Sequence, residues 1–324
     1  MLTQPLLKTK NFLRNVRNFQ KIPNWYWVEK IPEFNMSFND VEVERGSDKL
    51  FLKPLGIYVE KEKYDFLLTR KALNRAKFLK KKLNGKFSIG ANDELILEVE
   101  GIKVNIQTEE ELSIIWEIYW LGIYNFIYEK PVVMLDIGMN TGLASLYFAR
   151  QENVKSVWSY EPFKVTYDQA LHNFDLNPEI AHKIKPFSYG IAAEEKTVTV
   201  EFDNELRGSI GVEGVTEGRK KILENQSLPT EEISLKPISE ELSSIISQHP
   251  DMDIIAKIDC EGSEYEIFDS LAAKGQLNQI KIIMMEWHYK GPDKLADYLR
   301  QAGFAIFSRL PRSSNIGAIY AVRV

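Results

Sequence analysis

The sequence predicts an α/β fold in which a mainly parallel, seven-stranded sheet carries helices on both faces and ends in an antiparallel hairpin at its C-terminal edge. From residue 131 onward, strand-like apolar runs alternate with helix-like patterns, which is typical of a parallel sheet. The first run, at 132–135, is apolar throughout, as expected for a strand covered on both faces. A glycine-punctuated turn from Gly138 to Gly142 follows it and leads into a helix, an arrangement that binds nucleotides in open α/β sheets.

The other elements follow from changes in hydrophobic periodicity along the chain. Strands are predicted at 156–160, 184–190, 254–259, 280–286, 304–308 and 318–324, with an extra strand at 197–202. Helices are predicted at 143–150, 165–176, 239–248, 265–277 and 293–302. Thr141 is the expected cap of the first of these helices. The glycine- and charge-rich segment Arg207 to Pro229 is predicted to be a mobile loop over the ends of the strands.

Residues 1–107 have a different pattern and are predicted to form an N-terminal α/β extension, separate from a domain at 108–324. A basic amphipathic helix is expected at 69–86 and a hairpin at 95–104. Thr108 begins a capping box for an apolar, aromatic helix at 112–128. The cationic face of the basic helix is either solvated or binds an anionic partner or substrate. The role of the extension, in substrate binding or in forming a homo-oligomer, stays open.

Composition narrows the class of protein. The chain has 324 residues, 44% of them hydrophobic and 27% charged, which is enough for a full core. A net charge of −5 argues against nucleic acid as a partner. The single cysteine, Cys260, excludes an internal disulfide, and no apolar stretch is long enough to span a bilayer. Without a hydrophobic signal core near its N-terminus, the chain is expected to be cytoplasmic.

Acidic residues recur where the predicted strands end. Because parallel strands end at one edge of the sheet, these residues are expected to meet in one crevice. The set comprises Asp136, Glu161, Asp259 and Glu286, together with Gly190 and His288. Any single acid at such a position could merely cap the following helix, but the recurrence favours a site.

The first two of these acids indicate a nucleoside without phosphates. Glu161 follows Asp136 by 25 residues (161 − 136), which is close to the spacing at which nucleotide-binding folds place the acid for the ribose. The negative charge of Asp136 disfavours a pyrophosphate but suits a cationic nucleoside. Asn140 interrupts the G-x-G-x-x-G pattern, which weakens the case for NAD.

Two further runs are candidates for the chemistry. Residues 257–264 end a buried strand with several acids, including Asp259, Glu261 and Glu264. Such clusters serve as an acid/base site, a metal site or a cofactor clamp, although Glu264 could act only as a helix cap. Glu286 and His288 lie on one face of the fifth strand by alternation, and histidine is the usual general base near neutral pH.

Four blocks of residues together resemble the FkbM family of S-adenosylmethionine-dependent methyltransferases. In order along the chain, the blocks are 136–142 (DIGMNTG), 160–162 (YEP), 257–264 (KIDCEGSE) and 286–288 (EWH). Met139 stands where the family usually has Ala. The resemblance covers about residues 108–324 and implies a Rossmann-like class I methyltransferase fold, with S-adenosylmethionine as the cofactor.

The resemblance also implies roles for particular residues. The cofactor's methionine part would lie against Asp136, Gly138, Asn140, Thr141 and Gly142, and its ribose against Glu161 and the adjoining Pro162. Gly190 and Ile191 would flank the adenine, with Asp259 also at the cofactor. For transfer to a hydroxyl, His288 or Asp259 would take the proton, with Glu286 beside them.

The expected activity is O-methylation of a small natural product or a carbohydrate. The alternatives are an N-methyltransferase, a cofactor-binding scaffold without turnover, and a nicotinamide-dependent dehydrogenase. No metal is part of the main hypothesis, although a metal role for Asp259, Glu261 and Glu286 is a minority alternative. Replacing Asp136 or Glu161 by Ala is expected to weaken cofactor binding while leaving the fold intact.

Overall fold

Two compact units, Met1–Leu121 and Gly122–Val324, make up the chain in the computed structural model. The structure describes residues 40–43, 49–60, 63–202, 210–212, 214, 228–308 and 315–324. The division falls later than the predicted boundary after residue 107. Contacts of aromatic residues explain the difference. The Phe78 and Trp120 rings lie 5.0 Å apart, and the Arg75 guanidinium lies 4.2 Å from the Trp116 ring. The segment after residue 108 therefore belongs to the first unit.

The described residues of the first unit form two three-stranded antiparallel sheets and two α-helices. Its strands are β1 (Val41–Val43), β2 (Lys49–Leu52), β3 (Ile57–Glu60), β4 (Lys86–Ile89), β5 (Leu95–Val99) and β6 (Ile102–Asn105), and its helices are α1 (Arg70–Lys82) and α2 (Glu109–Ile115). Short 3-10 helices span Asp65–Leu68 and Ala91–Asp93. The hairpin is therefore confirmed, and the basic helix is confirmed over Arg70–Lys82. Its predicted end at residue 86 is wrong, because Lys86 begins β4. Leucines such as Leu50, Leu52, Leu67 and Leu79 fill the core, all without exposed surface.

The capping box at Thr108 is confirmed, but the helix it begins is shorter than predicted. The backbone N–H of Thr108 donates to Glu111 Oε2 at 2.7 Å, and Thr108 Oγ1 accepts from the backbone N–H of Glu110. Helix α2 passes into a π-helix at Trp116–Leu121. Gly122 then adopts a φ of 63°, the left-handed conformation that ends helices, so the helical prediction for 122–128 is wrong.

The second unit is built on a seven-stranded sheet. Its strands are β7 (Val132–Ile137), β8 (Val154–Tyr160), β9 (Ile184–Phe187), β13 (Asp253–Ile258), β14 (Ile280–His288), β15 (Phe304–Ser308) and β16 (Ile316–Arg323). Their order in the sheet is β15-β16-β14-β13-β7-β8-β9. Strands β7, β8, β9, β13 and β14 pair in parallel, whereas β16 is antiparallel to β14 and β15. The prediction of a mainly parallel sheet with an antiparallel C-terminal hairpin is confirmed.

Six α-helices accompany this sheet in the described residues of the second unit. They are α3 (Leu143–Ala149), α4 (Lys164–Asp175), α5 (Pro178–Ala181), α6 (Ile238–Gln248), α7 (Glu264–Ala273) and α8 (Asp293–Gln301). The core contains buried residues of strands and helices, including Leu135, Trp158, Ile245, Phe268 and Leu299. Helix α7 ends at Ala273, and a 3-10 turn at Leu277–Gln279 takes the place of the last predicted turn. No helix among the described residues is both long and apolar enough to cross a membrane.

A second, three-stranded sheet in this unit corrects one strand prediction and contains a strand that was not predicted. Strand β9 stops at Phe187, and Gly190 instead begins β10 (Gly190–Ala192), which pairs in parallel with β12 (Thr230–Pro237). The predicted extra strand is β11 (Lys196–Glu201), antiparallel to β12. Strand β12 escaped prediction because polar residues dominate its first half and only its second half alternates clearly between exposed and buried positions.

Candidate functional site

The glycine turn after β7 lies against the end of β13. Gly138 has a φ of 81°, and a Cβ atom built on it would lie 1.7 Å from the carbonyl oxygen of Asp259. The backbone N–H of Asp259 donates to Ile137 O at 3.0 Å. Only glycine meets both the conformational and the steric requirement here. The first and the third predicted motif therefore meet in space through this glycine.

Glu161 ties the end of β8 to the same turn. Its Oε2 accepts from the backbone N–H of Asn140 at 2.9 Å, and its Oε1 accepts from the backbone N–H of Phe163 and from Thr166 Oγ1, both at 3.0 Å. A carboxylate has about four acceptor positions, so about one remains for a ligand. Burial raises the pKa of Glu161 to about 7, although the hydrogen bonds from Phe163, Thr166 and Asn140 oppose that rise.

Thr141 and Gly142 close the turn differently from the prediction. Gly142, with a φ of 81°, is the N-cap residue of α3, and the hydroxyl of Thr141 does not cap the helix. Thr141 Oγ1 is buried and has no hydrogen-bond partner among the described residues. A Cβ on Gly142 would come within 2.6 Å of Cε1 of Phe174. The turn thus leaves one buried hydroxyl for an additional partner.

Asp136 lies beneath the turn, paired with a buried lysine. Its side chain has no exposed surface, its Oδ2 accepts from Ser145 Oγ at 2.6 Å, and its Oδ1 lies 3.3 Å from Lys257 Nζ. Lys257 also donates to the carbonyl oxygens of Ile137 and Gly138. Burial lowers the pKa of Lys257, but the carboxylates of Asp136 and Asp259 outweigh it and raise the pKa overall. Asp136 therefore supports the turn from below rather than lining an open crevice.

The ends of β13 and β14 bring together Asp259, Glu286 and His288. One ligand atom from each of the three lies within 4.8 Å of the other two. Glu261 adds a fourth group, with Oε1 3.5 Å from His288 Nε2. Burial raises the pKa of Glu261 to about 8; the nearby His288 opposes this rise and Asp259 adds to it. The predicted juxtaposition of the third and fourth motifs is therefore present.

His288 is held from behind by Glu264, which has no exposed surface. Glu264 Oε1 accepts from the backbone N–H of His288 at 2.5 Å and lies 3.2 Å from Nδ1 of the imidazole. Burial lowers the pKa of His288, but Glu264, Glu261 and Asp259 together raise it to about 9. Without another cation, both ring nitrogens of His288 therefore carry a proton at neutral pH.

The predicted adenine-flanking residues lie at the start of β10. A Cβ on Gly190 would lie 2.5 Å from Cδ2 of Leu235 and 3.3 Å from Cγ of Pro162. Ile191 is 3% exposed and its side chain belongs to the core of the unit. Gly190 thus packs against Pro162, which follows Glu161 in the chain. The residues predicted to flank the adenine and those predicted to bind the ribose are therefore neighbours.

Most of the predicted mobile loop, Arg207 to Pro229, lies outside the described residues. Its described part includes Gly211, where an added Cβ would lie 2.1 Å from the carbonyl oxygen of Glu261. This close approach places part of the segment against the acidic cluster.

Sequence reasoning missed the partners of the predicted residues. Glu264 was interpreted as a possible helix cap, and Lys257 only as part of a motif. Tyr124, whose hydroxyl donates to Asp259 Oδ2 at 3.2 Å, lies in a segment interpreted as an apolar helix. Only Lys257 carried a signal, because a lysine within a buried apolar strand requires a nearby countercharge.

The sheet order and the glycine turn define a Rossmann-like α/β fold. Residues 136–306, more than half of the chain, match the sequence model of the family described as "Methyltransferase FkbM domain". The chain belongs to the FkbM methyltransferase family. No curated protein sequence matches it.

Several solved structures are similar to this chain. Methyltransferase FkbM from Methylobacillus flagellatus KT is 15% identical, with a TM-score of 0.41, over 64% of this chain and 47% of that protein. The chain thus spans about half the length of that protein. The METTL16 MTase domain is 10% identical, with a TM-score of 0.39, over 92% of this chain and 90% of that domain. Precorrin-6y C5,15-methyltransferase from Geobacter metallireducens GS-15 is 11% identical, with a TM-score of 0.36, over 64% of this chain and 88% of that protein.

Proposed function

We propose that this methyltransferase transfers a methyl group from S-adenosylmethionine to a hydroxyl of a small natural product or a carbohydrate. The observation that carries the proposal is the convergence of Asp259, Glu286 and His288 at the ends of β13 and β14. Gly138, in the turn that would hold the cofactor, touches the backbone of Asp259. The groups that could take a proton therefore lie beside the groups that could hold the methyl donor.

The residues of the turn fit this cofactor. Thr141 Oγ1 is buried and without a partner, so it can bond the amino acid part. Glu161 has about one acceptor position left for a ribose hydroxyl. Gly138 and Gly142 keep side chains out of the turn, and Gly190 would lie beside the adenine. Because Lys257 neutralises Asp136, we assign Asp136 to positioning the turn and not to direct contact.

When bound, S-adenosylmethionine supplies a methyl group on a sulfonium, and the electron pair of the breaking carbon–sulfur bond stays on the sulfur. The acceptor oxygen must lose its proton as it gains the methyl group. We assign that proton to Asp259, whose side chain is 28% exposed, rather than to His288, whose side chain is 2% exposed and whose imidazole is already protonated at neutral pH. His288 and Glu264 would fix the geometry of the cluster around Asp259.

A direct test is a screen of hydroxylated small molecules and sugars with a methyl-labelled donor. Once an acceptor is found, Asp259→Asn is expected to lower turnover by about 100-fold while S-adenosylhomocysteine still binds. Asp251→Asn, an exposed aspartate outside the cluster, is the matched control and should keep wild-type turnover. Calorimetry in which NAD binds the wild-type chain and S-adenosylhomocysteine does not would contradict the proposal.

A further inference from the structure

We propose that Asp259, Glu286 and His288 form a binding site for a divalent transition-metal cation. Each offers one ligand atom, and the three atoms lie within 4.8 Å of one another. Three ligands spread evenly around a cation, each about 2.1 Å from it, are about 3.6 Å apart. Side-chain movements of up to about 0.7 Å would therefore bring the three atoms to bonding distance.

The orientation of His288 is the independent observation that points to a cation. Its side chain is 2% exposed, and its Nδ1 faces the buried carboxylate of Glu264 at 3.2 Å. This contact fixes Nδ1 as the protonated nitrogen in the neutral ring, which leaves the lone pair on Nε2. A histidine whose second ring nitrogen donates its N–H to a carboxylate is the usual arrangement of a metal ligand.

Nε2 faces the carboxyl groups of Asp259 and Glu261. Glu261 Oε1 lies 3.5 Å from it and Asp259 Oδ1 lies 4.0 Å from it, both longer than an ordinary hydrogen bond. No hydrogen bond reaches Nε2 from the part of the chain that the structure describes. A lone pair facing carboxylates is repulsive unless positive charge lies between them. A proton satisfies this requirement in part, and a divalent cation satisfies all of the groups together.

The ligand types favour a cation of intermediate softness. Imidazole nitrogen suits Zn²⁺, Fe²⁺ and similar ions, whereas carboxylates also suit Mn²⁺. A set of one nitrogen and two carboxylate oxygens therefore favours Mn²⁺ or Zn²⁺ over Mg²⁺ and Ca²⁺. Asp259, with 28% of its side chain exposed, gives the site an open face. Three protein ligands would leave coordination positions there for water or a hydroxyl.

Such a cation would lower the pKa of a coordinated hydroxyl and so assist its deprotonation. This consequence rests on the proposed function, because it requires a hydroxyl acceptor at the open face. Binding of the cation does not rest on it, since the three ligands belong to the protein. The two parts are therefore tested by separate measurements.

The test is titration of Mn²⁺ into the metal-free full chain, followed by electron paramagnetic resonance and calorimetry. We expect one Mn²⁺ per wild-type chain and at least tenfold weaker binding in Asp259→Asn, Glu286→Gln and His288→Gln. Exposed acids outside the cluster supply matched controls: Asp251→Asn and Glu240→Gln should bind Mn²⁺ like the wild type. Circular dichroism identifies any variant that fails to fold, and the two carboxylate variants keep the test decisive if His288→Gln does.

The proposal is overturned if the wild-type chain binds no Mn²⁺ at millimolar concentration, or if the three cluster variants bind it as tightly as the controls. Titrating S-adenosylhomocysteine into the same samples separates the two proposals. A chain that binds Mn²⁺ but not S-adenosylhomocysteine would support the metal site and contradict the proposed function. A chain that binds S-adenosylhomocysteine but not Mn²⁺ would contradict the metal site and support the proposed function.

Discussion

Asp136→Asn is expected to destabilise the second unit strongly, although Asn has nearly the same shape as Asp. The change leaves the charge of Lys257 buried without its main partner, 3.3 Å away. At an effective dielectric constant of about 20, two unit charges at that separation attract by about 5 kcal/mol. Removal of one partner of a buried ion pair typically costs about 3–5 kcal/mol. A loss of about 4 kcal/mol corresponds to a melting temperature lower by about 10 °C for a unit of this size.

A double-mutant cycle with Lys257→Met tests this explanation. When both charges are removed, no buried charge is left alone, so the double variant should be more stable than Asp136→Asn. Urea denaturation followed by tryptophan fluorescence gives the four free energies of unfolding. Asp168→Asn is the matched control, because Asp168 pairs with Lys164 on the surface, and it should unfold like the wild type. The reasoning fails if Asp136→Asn costs less than about 1 kcal/mol, or if the two single changes are additive.

Three further predictions concern the turn. Gly138→Ala should abolish S-adenosylhomocysteine binding in calorimetry, because its Cβ would collide with the carbonyl oxygen of Asp259. The control is Gly275→Ala, at a φ of 64° with open space around it, which should retain binding. Equal affinities of the two variants would contradict this prediction. Thr141→Val should weaken S-adenosylhomocysteine binding by about tenfold without lowering the melting temperature of the ligand-free protein, because its hydroxyl has no partner to lose; an unchanged affinity would exclude it from the site. Glu161 has a pKa raised to about 7 from its ordinary value of 4.5, so its contribution to stability is fully present below pH 4.5. It is lost as pH rises through 7, by at most about 1.4 kcal/mol per pH unit. Unfolding in urea at several pH values should show this slope in the wild type and a flatter one in Glu161→Gln, and a stability that rises over that range would refute the assignment.

The expectation from the sequence that replacing Asp136 leaves the fold intact differs from the prediction that the structure supports. The sequence placed Asp136 at the end of a buried strand, which the structure confirms. It gave no partner for that charge, because Lys257 lies more than a hundred residues further along the chain. The two residues are opposite each other only because β7 and β13 are neighbours in this register. Register between distant strands depends on the packing of the whole sheet.

The acidic cluster shows the same division. Alternation along one strand correctly placed Glu286 and His288 on a common face, and the order of the motifs brought Asp259 to the same edge. The protonation of His288 was not foreseen, since it depends on carboxylates from two other positions that surround the ring. A pKa is set by distances and burial, and neither quantity is present in a linear pattern.

By itself, the sequence determined the alternation of strands and helices, the sharp turn after β7 and the acids at the strand ends. These features depend on local periodicity and on residues such as Gly138, which few other residue types can replace. The tertiary structure alone decided which groups are neighbours. It paired Asp136 with Lys257 and placed Glu264 behind His288. It also moved Gly190 into a second sheet with a strand too polar to be recognised. Contacts between distant segments carry no local signal, since they form only when the strands pair and the core closes around them.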